Sequence, residues 1–239
     1  LITNLFERSQ SFAGGSLAVA NNLACFSKNV SLYSLLGKNP NPKNFLKKSL
    51  NKNIKKKIIF SNNFKTIKKT RYIEDSYSTK KLFSVYEMKN TLLDSKDEHK
   101  LCDLLSKHLK KYDLVVVNDF GHELFTNKII KIIIKNSKFL ALNVQTNSAN
   151  IPFNPVTKFK KANFVSIDIP EAKIATGSKH LPKLEMFNEI LKKSKFNQMV
   201  FTEGKKGSWY FKNKKAINTP TFNQNVVDTM GAGDAFFAI

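Results

Sequence analysis

Residues 226–239 read VVDTMGAGDAFFAI: a Gly-Ala-Gly turn, a lone acid, then an apolar run. Gly231 and Gly233 admit backbone conformations barred to residues that carry a Cβ. A helix beginning near Ala232 aims unpaired N–H groups and its positive dipole end at whatever lies above the turn, which suits an anion. Asp234, in the first turn, sits where a carboxylate is stabilised as the ion, and it can take a proton from a neutral hydroxyl. A phosphate held by amides beside a hydroxyl held by Asp234 is the geometry of phosphoryl transfer. The same residues would also serve if Asp234 merely capped the helix and the glycines merely turned the chain.

Upstream, strand and helix patterns alternate. GGSLAVANNLACF (14–26) has small and apolar residues at helical spacing behind a Gly-Gly turn, and VSLYSLLG (30–37) reads as a buried strand. A Pro-punctuated loop and short helix lead to the strand IKKKIIF (54–60). Between residues 66 and 90, β-rich runs at Thr70–Glu74 and Leu82–Glu87 lack a following helix and read as an antiparallel excursion. Alternation then resumes: helix 95–112, strand 113–119, helix 123–135, strand 138–144. It continues with strand 162–168, helices 170–176 and 181–194, strand 198–204 and a hairpin over 207–218. This order predicts an α/β fold, a mostly parallel sheet covered by helices, in one domain over 1–239.

Hydrophobic residues make up 41% of the 239, enough for a substantial core. The cysteines, Cys25 and Cys102, lie far apart with no CxxC or Cys/His pairing, so neither a disulfide framework nor a zinc site is indicated. A reducing cytoplasm is expected. The formal charge of +22 invites a nucleic-acid reading, but the only arginines are Arg8 and Arg71, whereas base readout favours Arg forks. Lysine spread among Asn, Ile and Phe is what an AT-rich coding sequence produces; a nucleic-acid-binding protein stays as a rival class. No apolar run approaches the ~20 residues that cross a bilayer, so no membrane partner is expected. The chain does not begin with Met, and its last apolar helix is cut short, so it reads as a fragment truncated at both ends.

VVDTMGAGDAFFA resembles the C-terminal signature D-T-x-G-A-G-D-x-F of the ribokinase-like (PfkB) carbohydrate kinases. GGSLAVANNLACFSKNVSLYSLLG is similar to their N-terminal signature, so the resemblance spans nearly the whole chain. It implies a Rossmann-like αβα sandwich with a small β-sheet lid, here at about 66–90 with part of 1–13. It implies ATP and Mg2+ as cofactors. Asp234 would be the catalytic base, and Gly231, Ala232 and Gly233 the amide hole for charge on the γ-phosphate. TEGKKG resembles T-x-G-x-x-G, placing Thr202, Gly204 and Gly207, with Thr229 of the signature, at the nucleotide. DIPE stands where the family has N-x-x-E, so Glu171 and Asp168 would hold hydrated magnesium; without the resemblance they read equally as the cap of a short helix.

Gly14 and Gly15 would let the backbone approach the sugar. TIKKTRYIEDSYSTKKLFSVYEM resembles the lid of the heptose 7-phosphate kinases, bringing Arg71 to the substrate. Asp119 and Asn143 match that branch's sugar-side positions, with Asn143 where an Asp is usual and His122 where a Lys is usual. Asp119 would orient a sugar hydroxyl, or serve only as a strand-end turn acid. The implied partners are a small sugar phosphate and ATP, with a homodimer through the lid and a fused nucleotidyltransferase domain as further expectations. Another ribokinase-like kinase, or a sugar- or nucleotide-binding module that has lost catalysis, is the alternative.

Overall fold

The computed structural model describes residues 5–74, 80–89, 92–146, 150–213, 215–222 and 229–239. Residues 226–228 of the C-terminal signature, 147–149 of the polar loop and 75–79 of the excursion lie outside them. Gly15, at φ 55°, turns the chain into α1 (Ser16–Phe26). A Cβ there would meet the Phe120 ring at 2.9 Å, so the Gly-Gly corner is pressed against the loop that carries Phe120. Strands β1 (Ser31–Gly37) and β2 (Lys55–Ser61) pair in parallel, joined through α2 (Lys43–Ser49). Ala20, Val30, Leu32, Leu46, Leu50 and Ile54 form the small core under this unit.

The excursion is an antiparallel ribbon of β3 (Lys68–Glu74) and β4 (Lys80–Glu87). Strand alternation gives it two unlike faces. One carries Thr70 opposite Val85 and Tyr72 opposite Phe83, whose rings stack at 4.5 Å. The other carries Lys69 opposite Tyr86 and Arg71 opposite Ser84. Residues 5–13, expected to contribute to the lid, have no regular secondary structure.

The main sheet follows: α3 (Ser95–His108), β5 (Val115–Asp119), α4 (Asn127–Asn136), β6 (Leu140–Val144), β7 (Lys161–Asp168) and α5 (Ile169–Thr176). Then come α6 (Lys183–Lys193), β8 (Lys195–Thr202), β9 (Ser208–Lys212), β10 (Lys215–Thr219) and α7 (Ala232–Ala238). The strand order is β10-β9-β8-β7-β6-β5, with β5 to β8 parallel and β9 and β10 antiparallel at the edge. All of Leu140–Val144 is buried, as expected of a central parallel strand covered on both faces. Val117, Leu142, Val165 and Ile167 pack on one face with Leu105, Ile129, Ala172 and Phe187 from α3, α4, α5 and α6. Val116, Ala141 and Phe164 face the other way, against Val19 of α1 and Phe237 and Ala238 of α7. The arrangement is helix–sheet–helix, as the alternation predicts.

One element starts later than its pattern suggests. The apolar run from Glu123 predicts a helix, but Glu123 has φ 60° and the helix begins at Asn127. Thr126 caps it, accepting from the Ile129 N–H at 3.3 Å and donating to Glu98. Among the described residues no helix is long and apolar enough to cross a membrane.

Candidate active site

The carboxyl ends of β5 to β8 form one rim, the place where open α/β sheets take their ligands. Side chains of paired residues on neighbouring strands point the same way. Asn118 is level with Asn143, Asn143 with Ser166, and Asp168 with Thr202. These residues continue the sheet face that packs on α1 and α7, so they end beneath the first turn of α7. Gly231, at φ 76°, turns the chain into that helix, and Ala232 N–H donates to the Thr229 carbonyl at 3.2 Å. Asp234 reaches down to the rim. Its Oδ1 accepts from Gln145 Nε2 at 2.9 Å and, at the long limit of a hydrogen bond, from Asn118 Nδ2 at 3.4 Å. Among the described residues Oδ2 accepts no hydrogen bond, and Gly231, Ala232 and Gly233 are exposed beside it.

Sequence reasoning did not single out Gln145 or Asn118. A signal existed for Gln145: it stands two residues beyond Asn143, and a period of two keeps both on one side of an extended chain. Asn143 is buried, and it faces Gln145 and the Ser166 carbonyl. The Gln145 backbone is fixed at both ends, its N–H donating to the Asp119 carbonyl at 2.7 Å and its carbonyl accepting from Asn154 Nδ2 at 2.9 Å.

Asp119 follows Asn118 and so points to the opposite face. It is 1% exposed; Oδ1 accepts the Gly121 N–H at 2.8 Å and Oδ2 pairs with Lys158. These are the contacts of a strand-end turn acid rather than of a group open to the rim. Gly121, at φ 67°, is required there, since a Cβ would lie 2.2 Å from Asn150 Nδ2.

At the end of β7, Asp168 and Glu171 form a reciprocal cap on α5. Asp168 accepts the Glu171 N–H at 2.7 Å, and Glu171 Oε2 accepts the Asp168 N–H at 2.8 Å. Glu171 Oε1 accepts the Thr146 N–H at 2.9 Å. Burial, and then the nearby Asp168 charge, pushes the Glu171 carboxyl up to about 7; burial raises Asp168 as well. Among the described residues no group of three or more His, Cys, Asp or Glu gathers to hold a metal. Both Glu171 oxygens already serve backbone donors, so this pair fits a divalent cation only through the cation's own waters.

The raised Glu171 value carries a sign. An acid that ionises less readily folded than unfolded stabilises the fold at low pH, and that stability is lost as pH rises from the ordinary 4.5 through about 7. Glu171→Gln is therefore expected to flatten the decline in urea midpoint between pH 5 and pH 8. A variant declining as steeply as the parent would remove Glu171 as its source.

Thr202 ends β8 between Asp168 and Ser208. Gly204 (φ 54°) and Gly207 (φ 88°) turn the chain into β9, and a Cβ on Gly207 would sit 2.0 Å from the Thr219 carbonyl oxygen. Gly207 thus has a packing reason as well as a turn reason. Arg71 is exposed on the polar face of the ribbon. Burial holds His122 below the usual imidazole range, with the Lys69 charge adding to the lowering and Asp119 and Glu123 pulling the other way. The structure thus gathers Asp234, Asn143, Asp168, Glu171 and Thr202 on the rim, with Gly15 against Phe120 and Gly14 just before it with open space where a Cβ would sit. It leaves Asp119 below the sheet and Arg71 on the ribbon.

Parallel strands that bring their polar ends to one rim, helices on both faces and a projecting ribbon make this an α/β sandwich of the ribokinase-like kind. Solved structures share the fold. Ribokinase from Giardia lamblia aligns with a TM-score of 0.70 at 17% identity, over 93% of this chain and 69% of that one. Phosphofructokinase-2 from Escherichia coli, in complex with substrates and products, aligns with a TM-score of 0.71 at 13% identity, over 94% and 72%. The profile of the pfkB family carbohydrate kinases matches residues 3–238, and the chain belongs to that family, whose members are phosphotransferases acting on sugar hydroxyls. It is 27% identical over 239 residues to the bifunctional protein HldE of Aliarcobacter butzleri (strain RM4018), covering 97% of this chain and 48% of that protein. The chain spans about half the length of the curated relatives it matches.

Proposed function

We propose that this chain is an ATP-dependent sugar kinase that transfers the γ-phosphate to a hydroxyl of a phosphorylated sugar of the heptose 7-phosphate kind. The observation that carries the reading is the Asp234 carboxylate, tied through Oδ1 to Gln145 and Asn118 with Oδ2 left for an acceptor hydroxyl beside exposed glycine amides. Asp234 takes the hydroxyl proton as the oxygen attacks phosphorus in line. The Gly231 and Gly233 amides, joined by that of Ala232 if it leaves the Thr229 carbonyl, receive charge on the transferring group. Thr202, Gly204, Gly207 and Thr229 line the nucleotide, with Gly14, Gly15, Asn143 and Arg71 on the sugar side. Asp168 and Glu171 would hold magnesium through water. Such a cation supplies charge neutralisation at the phosphates.

Two expectations extend the reading. The relatives' printed description, bifunctional, supports a second, nucleotidyltransferase unit in the whole protein. The exposed Tyr72, Phe83 and Val85 face of the ribbon supports pairing of two ribbons in a homodimer.

A second reading keeps the chemistry and changes the sugar. It is favoured by Asp119, whose burial against Lys158 withdraws a carboxylate from the sugar side. An assay of ADP release with magnesium-ATP against heptose 7-phosphate, fructose 6-phosphate, ribose and adenosine separates the two. The first reading requires heptose 7-phosphate to give the highest kcat/KM. Higher kcat/KM on another sugar favours the second, and no turnover on any acceptor would reject both.

A further inference from the structure

Hydrogen-bond polarity along the rim leads to a role for Gln145. The Ser166 carbonyl can only accept, so the Asn143 side chain must present Nδ2 to it, which it does at 2.9 Å. Asn143 Oδ1 then faces Gln145 and needs a donor. Gln145 Nε2 supplies one at 2.7 Å and has one hydrogen left, which goes to Asp234 Oδ1 at 2.9 Å. Each link fixes the direction of the next, beginning from a backbone group with no choice. The outcome is that Asp234 Oδ1 is committed as an acceptor, and a proton taken by this carboxyl lands on Oδ2.

We propose that Gln145 is the positioning residue of the phosphoryl-transfer reaction: it locks the Asp234 carboxylate so that Oδ2 alone faces the acceptor hydroxyl. The proposal rests on Asp234 being the base, as proposed above. Gln145 acts through Asp234 and needs no contact with sugar or nucleotide. Its own placement is secured by the Asp119 carbonyl and Asn154 on its backbone, which leaves the side chain little freedom to follow a wandering carboxylate. Asn118, at 3.4 Å, is the weaker partner and cannot hold the carboxylate's rotation alone.

The test is a ranking of three substitutions. Gln145→Met keeps the length and shape and removes both donors. Gln145→Lys keeps donors for Asn143 and Asp234. Gln145→Glu puts an acceptor against two acceptors. With magnesium-ATP and heptose 7-phosphate, positioning predicts a kcat order of Lys, then Met, then Glu. The loss for Met is about 30-fold, near the ~100-fold that a misplacement of about 1 Å can cost, with KM for ATP unchanged. A role in packing alone predicts instead that Met, the closest in shape, performs best. That order would overturn the proposal.

Crystal structures of the Met variant give a readout independent of substrate: a rotated Asp234 carboxylate supports the lock, and an unmoved one overturns it. The two levels fail differently. If Asp234→Asn keeps full turnover, the base assignment falls. If Asp234→Asn is inactive while Gln145→Met matches the parent, only the positioning role falls.

Discussion

Asp234→Asn is expected to lower kcat by roughly 10²–10⁴-fold, the range of a positioned general base, while magnesium-ATP binding persists. The amide keeps the size of the carboxyl but cannot accept the hydroxyl proton. With its one oxygen kept on the Gln145 and Asn118 donors, it presents an NH2 group that can only donate where Oδ2 stood. Loss confined to kcat marks an interaction made in the transition state rather than in nucleotide binding. Steady-state kinetics together with calorimetric titration of ATP make the measurement. Turnover at the parental level would take Asp234 out of the base role, whatever happens to sugar affinity.

The second large effect is on stability. Lys158→Met should cost about 3–5 kcal/mol, because it leaves the Asp119 carboxylate buried with its cation gone. Among the described residues the remaining partner is a single N–H, that of Gly121. Lys158 also donates to Asn154 Oδ1 at 2.6 Å, so the loss reaches the loop that holds Gln145. Adding Asp119→Asn to the variant should restore part of the stability, since the stranded charge is removed. Urea unfolding of the two variants beside the parent measures this. A cost below ~1 kcal/mol, typical of exposed pairs, would show that Lys158 is not needed to neutralise Asp119.

The α/β order was legible because each element announces itself locally. Buried runs such as LALNV, capped amphipathic stretches and glycine punctuation need no knowledge of neighbours. Asp234 was legible for the same reason, since turn, helix start and acid are contiguous. Other features depend on which strands lie side by side. Asn118 and Asp119 are adjacent in sequence, and only the pairing of β5 with β6, with α7 over one face, decides which of them reaches the rim. The sequence left Asp119 open between a sugar-side acid and a turn acid; in the sheet it is Asn118 that reaches the rim, while Asp119 holds the Gly121 N–H. The spacing from Asn143 puts Gln145 on the rim side, but its link to Asp234 is recognisable only once α7 is seen to return over β6. The start of α4 was misread because Glu123 takes a left-handed backbone that its composition does not signal.

Gln145 and Thr146 are consecutive, yet the Gln145 side chain holds Asp234 and the Thr146 N–H holds Glu171. A single peptide unit therefore joins the two carboxylates: a shift that tilts it moves Asp234 and Glu171 at once. In the proposed reaction the base and the acid on the magnesium side would then be aimed together rather than one at a time.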